Sequence, residues 1–177
     1  MNAQSFGPIR QIAYLVEDLD ASLERWSRFS GIGPWTIYRN VVLTGRYQGQ
    51  DTVVRMDVGL SYQGDLQIEI IRPSSQTPSP YQDPKGNTLV GMHHVAWMTD
   101  DLARDIVRAE ERGLTRVFEA QNPVTNVAYF ASANEPGMLF EVMQASPILL
   151  EGFAQGAEAS RNWDGREHIL QDIDLGG

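Results

Sequence analysis

Apolar positions along this chain switch from a period of two to a helical period and back, and they do so twice in the same order. In "PIRQIAYLV", residues 8–16, Ile12, Tyr14 and Val16 share one face and Gln11, Ala13 and Leu15 the other, as in a strand. "EDLDASLERWSRFSGIG" then spaces Leu19, Leu23, Trp26 and Phe29 as one helical stripe. Asp18 or Asp20 is available as its N-cap and Gly31 as its stop. Three strand-like pieces follow: "PWTIYRNVVL", "TVVRMDVGLSY" and "DLQIEIIRP". A run rich in Pro, Ser and Gln, "PSSQTPSPYQDPKGNTLV", interrupts the pattern as a linker or long loop.

The pattern then restarts. "MHHVAWMT" reads as a strand and "DDLARDIVRAEERGL" as a helix with Leu102, Ile106 and Ala109 on one stripe. "TRVFEAQ", "NVAYFASA" and "MLFEVMQ" read as three more strands. Beyond them "PILLEGFAQGAEAS" is an amphipathic helix, and "NWDGREHILQDIDLGG" matches neither period. The predicted organisation is a first module over 8–73, a linker over 74–90, a second module over 91–145 and a tail over 146–177 with a short helix.

The two modules match residue by residue at their starts. "RQIAYLVEDLDA" aligns without gaps on "HHVAWMTDDLAR" at an offset of 83 positions. Gln11 falls on His94, Ala13 on Ala96, Asp18 on Asp101 and Leu19 on Leu102. The closing strands "LQIEIIRP" and "MLFEVMQA" put Glu69 on Glu141. First and last strand are 58 residues apart in one module and 47 in the other, which points to an old duplication rather than a short-period solenoid.

Composition narrows the function classes. Of 177 residues 23 are acidic and 14 basic, for a net charge of -9. Such a surface repels phosphate backbones and anionic lipid, so nucleic-acid and membrane-surface roles are not expected. The absence of cysteine removes thiolate chemistry and disulfides, and fits a reducing cytoplasm. "MNAQSFGPIRQ" lacks the basic-then-apolar pattern of a secretory leader, and no apolar run reaches the ~18 residues of a bilayer span.

Strand parity selects candidate chemistry. In the first strand of each module, and in the last, one face is fully apolar and suited to a helix. The opposite face carries a polar, ligand-competent residue at matching positions: Gln11, Glu69, His94 and Glu141. Ala13 and Ala96, two residues along, leave room beside them. A carboxylate among apolar strand residues is costly unless it is paired or holds a metal. Oxygen and imidazole donors of this kind suit a borderline or hard divalent ion. Taken singly, each residue is more simply a polar group at a solvated edge; it is the four together that stand out.

With "RQIAYLVEDL", "GIGPW", "QIEIIRP", "HHVAWMTDDL" and "FEVMQ" the chain resembles the vicinal oxygen chelate superfamily over about residues 8–145. That family includes glyoxalase I, methylmalonyl-CoA epimerase, extradiol dioxygenases and bleomycin-resistance proteins. The resemblance implies an α+β fold, with two βαβββ modules forming a cup-shaped mixed β-sheet and helices on the outside. It also implies one divalent metal ion (Zn, Ni, Co, Mn or Fe) held by Gln11, Glu69, His94 and Glu141. A Gln/Glu/His/Glu set is similar to that of certain glyoxalase I enzymes, departs from the His-first set of the epimerases, and lacks the two-His-one-carboxylate triad of the dioxygenases. The "GIGPW" segment resembles the glyoxalase-like and epimerase-like branch.

The activity so implied is that of an isomerase, epimerase or lyase. The ion polarises a carbonyl or enolate oxygen while a carboxylate moves the adjacent proton. Glu141 is the first candidate for the catalytic base, with Glu69 opposite it. The alternatives are an extradiol-type dioxygenase, or a small-molecule-binding resistance protein without turnover. The expected partner is a small molecule with a carbonyl or vicinal oxygens, and the expected assembly a homodimer. Trp35, beside Gly33 and Pro34, is the candidate pocket wall, and Tyr129 a second substrate-binding candidate. His93 shares the position of Arg10, and strict alternation turns it away from the metal face as a structural residue. Asp100 and Asp101 fall at a strand-to-helix turn and read as caps.

Overall fold

A computed structural model describes residues 6–176; residues 1–5, read above for a leader, and Gly177 lie outside it. In chain order the elements are β1 (Gln11–Leu15), α1 (Leu19–Ser30), β2 (Trp35–Tyr47), β3 (Gln50–Gln63), β4 (Leu66–Pro73), β5 (Gly91–Thr99), α2 (Leu102–Glu111), β6 (Thr115–Gln121), β7 (Asn126–Ala131), β8 (Leu139–Gln144), α3 (Pro147–Arg161) and β9 (Ile169–Asp174). The fold is α+β. Both βαβββ units are present, and no described helix is long and apolar enough to cross a membrane.

The sheet runs β3-β4-β1-β5-β8-β7-β6-β2-β9, and β2 also pairs with β3. The expected cup is therefore closed into an eight-stranded barrel, with β9 added outside the ring. Length explains the closure. At 13 residues β2 is roughly 40 Å long, enough to serve different partners in succession. It pairs antiparallel with β3, while Trp35–Arg39 align in parallel with β9 and Thr44–Tyr47 antiparallel with β6. Asn40 sits between the last two stretches at φ 57, a left-handed conformation that Asn tolerates. Its amide nitrogen donates to Asp174 at 2.7 Å, tying the end of β9 to this bend.

Helices cover the outer face. Leu19 and Leu23 of α1 bury against Trp35, Ile37, Ile68 and Ile70. Gly59 lies directly under Leu23, where an added Cβ would come within 2.6 Å of that side chain. Leu102 and Ala109 of α2 bury against Ala128, Phe130 and Val142. Asp18 and Asp101 cap the two helices identically, each accepting at 3.0 Å from the backbone N–H three residues on. Phe29 departs from the expected α1 stripe and is 74% exposed. Ten residues at 100° each leave it roughly 80° from Leu19, beyond the edge of the buried face.

The inner face forms the largest apolar cluster, with Met56, Val58, Phe118, Val127 and Met143 among its members. Phe153 and Ala157 of α3 complete that cluster. The tail forms a helix, α3, where one was expected, crossing β3 and β4, and the stretch that matched neither period contains the strand β9.

Candidate active site

Gln11, Glu69, His94 and Glu141 converge inside the barrel. Their strands β1, β4, β5 and β8 are adjacent, in the order β4-β1-β5-β8, so four inward positions fall side by side. The hub is His94 Nε2, fully buried, with Glu141 Oε2 at 2.8 Å, Gln11 Oε1 at 3.1 Å and Glu69 Oε2 at 3.4 Å.

Three acceptor oxygens thus face one ring nitrogen, which can offer them a single proton. The buried Glu141 Oε2 forms the closest ion-pair contact with that nitrogen but does not meet it in hydrogen-bonding geometry and has no other partner. An orphaned carboxylate oxygen at this depth costs about 1–3 kcal/mol or more. A cation would balance the two carboxylates and use the spare lone pair. The donor set of one imidazole, two carboxylates and one amide oxygen fits a divalent ion of the Zn, Ni, Co, Mn or Fe kind. The described side chains are gathered on the imidazole rather than around a common centre, and no group of three or more His, Cys, Asp or Glu among them is arranged as a metal site.

Burial works against charge on His94. The close carboxylates of Glu141, first, and Glu69 outweigh it and raise the imidazole to about 9. Burial raises Glu141 above the usual carboxylate range; His94 opposes that shift, and the charge of Glu69 adds to it.

His93 departs from expectation. The register between β1 and β5 slips between Ala13 and Tyr14: Ala13 faces His94, and Tyr14 faces Met92. His93 is the extra residue, so strict alternation fails there and its ring turns inward. It stacks on Tyr81, with 4.9 Å between centroids and 22° between planes. Its Nε2 lies 2.8 Å from the carbonyl of Pro80, and its Nδ1 lies 2.9 Å from Nδ1 of His94. Pro80 O can only accept, so His93 Nε2 carries the proton. Burial, then the charge of His94, lower His93 to about 3 and keep it neutral. Its Nδ1 is therefore an acceptor, and His94 Nδ1–H donates to it. The bond keeps a proton on His94 Nδ1, so that Nε2 is the nitrogen that would give up its proton to a bound ion.

A second chain orients Gln11. Its Nε2 donates to Gln67 Oε1 at 2.6 Å, and Gln67 Nε2 donates to the Tyr62 hydroxyl at 2.5 Å. These bonds aim the amide oxygen of Gln11, not its nitrogen, at His94 Nε2. Tyr62 is held from the tail: Phe153 meets it edge-on at 5.6 Å, and a Cβ on Gly156 would lie 2.1 Å from its ring.

The cluster opens on a cavity of about 590 Å³. Tyr129 lines it, hydrogen-bonded to the Tyr81 hydroxyl at 2.9 Å. Trp35 does not. It packs beneath α1 with its indole N–H on Ser27 Oγ at 2.9 Å, because β2 parity turns Thr36 and Tyr38 inward instead. Sequence reasoning did not single out Gln67, Tyr62 or Tyr81. Gln67 shares the face of Glu69 and could have been found by parity. Tyr81, a lone aromatic in the Pro/Ser-rich run, is buried beside the site, so that run supplies part of the wall.

The chain matches the model of the Glyoxalase/Bleomycin resistance protein/Dioxygenase superfamily over residues 10–131. No curated protein matches it. Among solved structures it is similar to methylmalonyl-CoA epimerase from Mycobacterium tuberculosis, at 19% identity and TM-score 0.55, covering 85% of this chain and 97% of that one. A hypothetical protein from Bacillus halodurans C-125 matches at 19% identity and TM-score 0.54, covering 78% and 94%. A Streptomyces coelicolor methylmalonyl-CoA epimerase variant, in complex with 2-nitronate-propionyl-CoA, matches at 18% identity and TM-score 0.52, covering 81% and 98%.

Proposed function

This chain belongs to the Glyoxalase/Bleomycin resistance protein/Dioxygenase superfamily, and from that membership and the buried cluster we propose that it is a metal-dependent isomerase, epimerase or lyase acting on a small carbonyl compound. The observation that carries this reading is the convergence of Gln11 Oε1, Glu69 Oε2 and Glu141 Oε2 on His94 Nε2, with Glu141 Oε2 unsatisfied. These four residues would hold the ion, whose contribution when bound is to polarise a carbonyl or enolate oxygen of the substrate.

The remaining work falls to the chain itself. Glu141, a ligand that would loosen when substrate arrives, takes the proton from the carbon next to the carbonyl. That C–H bond breaks, its electron pair passes to the carbonyl oxygen, and an O–H bond forms on Glu141. Return of that proton from Glu141 to a neighbouring atom gives isomerisation; for epimerisation Glu69 starts protonated and delivers its own proton to the other face, leaving Glu69 ionised and Glu141 protonated, and exchange with solvent resets the pair. A carboxylate whose proton affinity burial raises is a better base than a solvated one. His93 and the Gln67–Tyr62 chain hold His94 and Gln11 in place.

The test is metal content after dialysis against Zn(II), Ni(II) or Mn(II), followed by C–H exchange of carbonyl compounds in deuterated water read by NMR. The wild type should retain about one ion per chain, His94→Ala none, and Glu141→Gln should lose about 10²–10⁴-fold in exchange. Failure of the wild type to hold any divalent ion near neutral pH would sink the proposal.

A further inference from the structure

The charge and apolarity of the cavity say more about its ligand. Among the described residues lining it, none is Lys or Arg; the charged ones are Glu69, Glu141 and Glu151. The body of the cavity is aliphatic and aromatic, with Leu43, Met56, Val58, Val127 and Met143 on its walls. Its mouth mixes large apolar residues with the exposed polar Glu151, Gln155 and Gln171. Val124, Ile148, Leu170 and Leu175 line it and are 44–61% exposed, an arrangement that keeps large apolar groups in water beside an opening.

Cations are placed elsewhere. Arg39 is tied to Asp20 and Asp172, and Arg72 to Asp57. Arg10 and Arg161 line a separate groove of about 650 Å³ along α3, which shares the Phe153 wall. Three of the four apolar mouth residues, Ile148, Leu170 and Leu175, belong to the tail. That segment begins after the family-model match ends at residue 131, so the tail builds the mouth onto the shared fold.

We propose that the ligand of this cavity is an uncharged molecule with an apolar body, one carbonyl or vicinal oxygen pair at the His94 end, and no anionic appendage. The inference rests on the proton-transfer reading of the same site. A divalent ion there would balance Glu69 and Glu141 and leave no surplus positive charge for a carboxylate or phosphate on the ligand. An anionic group in the body of the cavity or at the mouth would meet apolar side chains, neutral polar groups such as Asn122, Thr125, Gln155 and Gln171, and Glu151, with no cationic side chain among the described lining residues to pair with it.

Two probes of one shape separate the possibilities: 1-phenyl-1,2-propanedione, which is neutral, and phenylglyoxylate, which replaces the methyl group by a charged oxygen. Binding is measured by calorimetry at low salt, first in EDTA and then with Mn(II), and propionyl-CoA serves as a polyanionic third probe. The neutral dione is expected to bind about tenfold or more tightly than phenylglyoxylate in EDTA, with propionyl-CoA weaker still. Glu151→Lys, at the exposed mouth, should narrow that ratio. Equal or tighter binding of phenylglyoxylate in EDTA would overturn the proposal. So would tight propionyl-CoA binding abolished by Arg10→Gln, which would place the anion in the α3 groove. If the preference for the dione holds in EDTA but Mn(II) is never retained, the proton-transfer reading fails and the ligand class stands.

Discussion

The two halves of the barrel keep the same places for chemistry and back them in different ways. Gln11 and His94 occupy equivalent positions, as do Glu69 and Glu141. Behind Gln11 stands an amide chain through Gln67 to Tyr62 and the tail helix. Behind His94 stands a second imidazole, pinned to the Pro80 carbonyl. The residue equivalent to Gln67 in the second half is Leu139, and the residue equivalent to His93 in the first is Arg10. The duplication thus preserved the four inward positions, while each half acquired its own means of orienting them. An imidazole needs its tautomer set, and an amide needs its oxygen and nitrogen told apart.

The comparison breaks most sharply at those backing residues. His93→Phe removes the acceptor for His94 Nδ1–H, and metal affinity should fall by about 10–100-fold, as read by competition with a chelator. Tyr62→Phe frees the Gln67 amide to flip; its effect should be at the low end, about tenfold. A larger effect at Tyr62 than at His93 would reverse the ranking of the two chains.

A second asymmetry lies under the helices. In the first half Ser22 is buried and accepts from Arg25 at 3.0 Å; its counterpart Asp105 takes bonds from Thr99 and Arg104 and an ion pair with Arg108. Burial alone would raise the Asp105 carboxyl, but these bonds outweigh it and hold it below its ordinary value. Because the folded-state value is the lower one, the stabilisation is present above the unfolded carboxylate value of about 3.9 and is lost as pH falls through the folded one. Asp105→Asn should therefore cost ~1–3 kcal/mol in urea unfolding at pH 7. That gap should narrow toward pH 3, whereas Ser22→Ala should show no such pH dependence. The smallest effect is a control on the shared feature: Asp18→Ala and Asp101→Ala should each cost ~1 kcal/mol, and by equal amounts within error.

Much of this was legible because strand parity is a local property. Alternation along β1, β4, β5 and β8 assigned each residue to the helix side or the inner side without reference to any partner strand. The internal match then paired Gln11 with His94 and Glu69 with Glu141. The same rule misplaced His93, because a bulge is an event between two strands and leaves no mark on the period of one. It also assigned Trp35 to a pocket wall from its neighbours Gly33 and Pro34 alone, where the parity of β2 buries it under α1.

What the amino-acid sequence determined by itself was the order of elements up to the tail helix, capping aspartates at the start of both module helices, with Asp18 and Asp20 both open in the first, and the four inward positions. All follow from spacing and from contacts within a few residues. What only the tertiary structure decided was closure of the barrel through β2, the inward turn of His93, the entry of Tyr81 from a Pro/Ser-rich loop, and the use of α3 and β9 as the cavity mouth. Each depends on which distant surface a segment buries against, and a one-dimensional pattern carries no record of that choice.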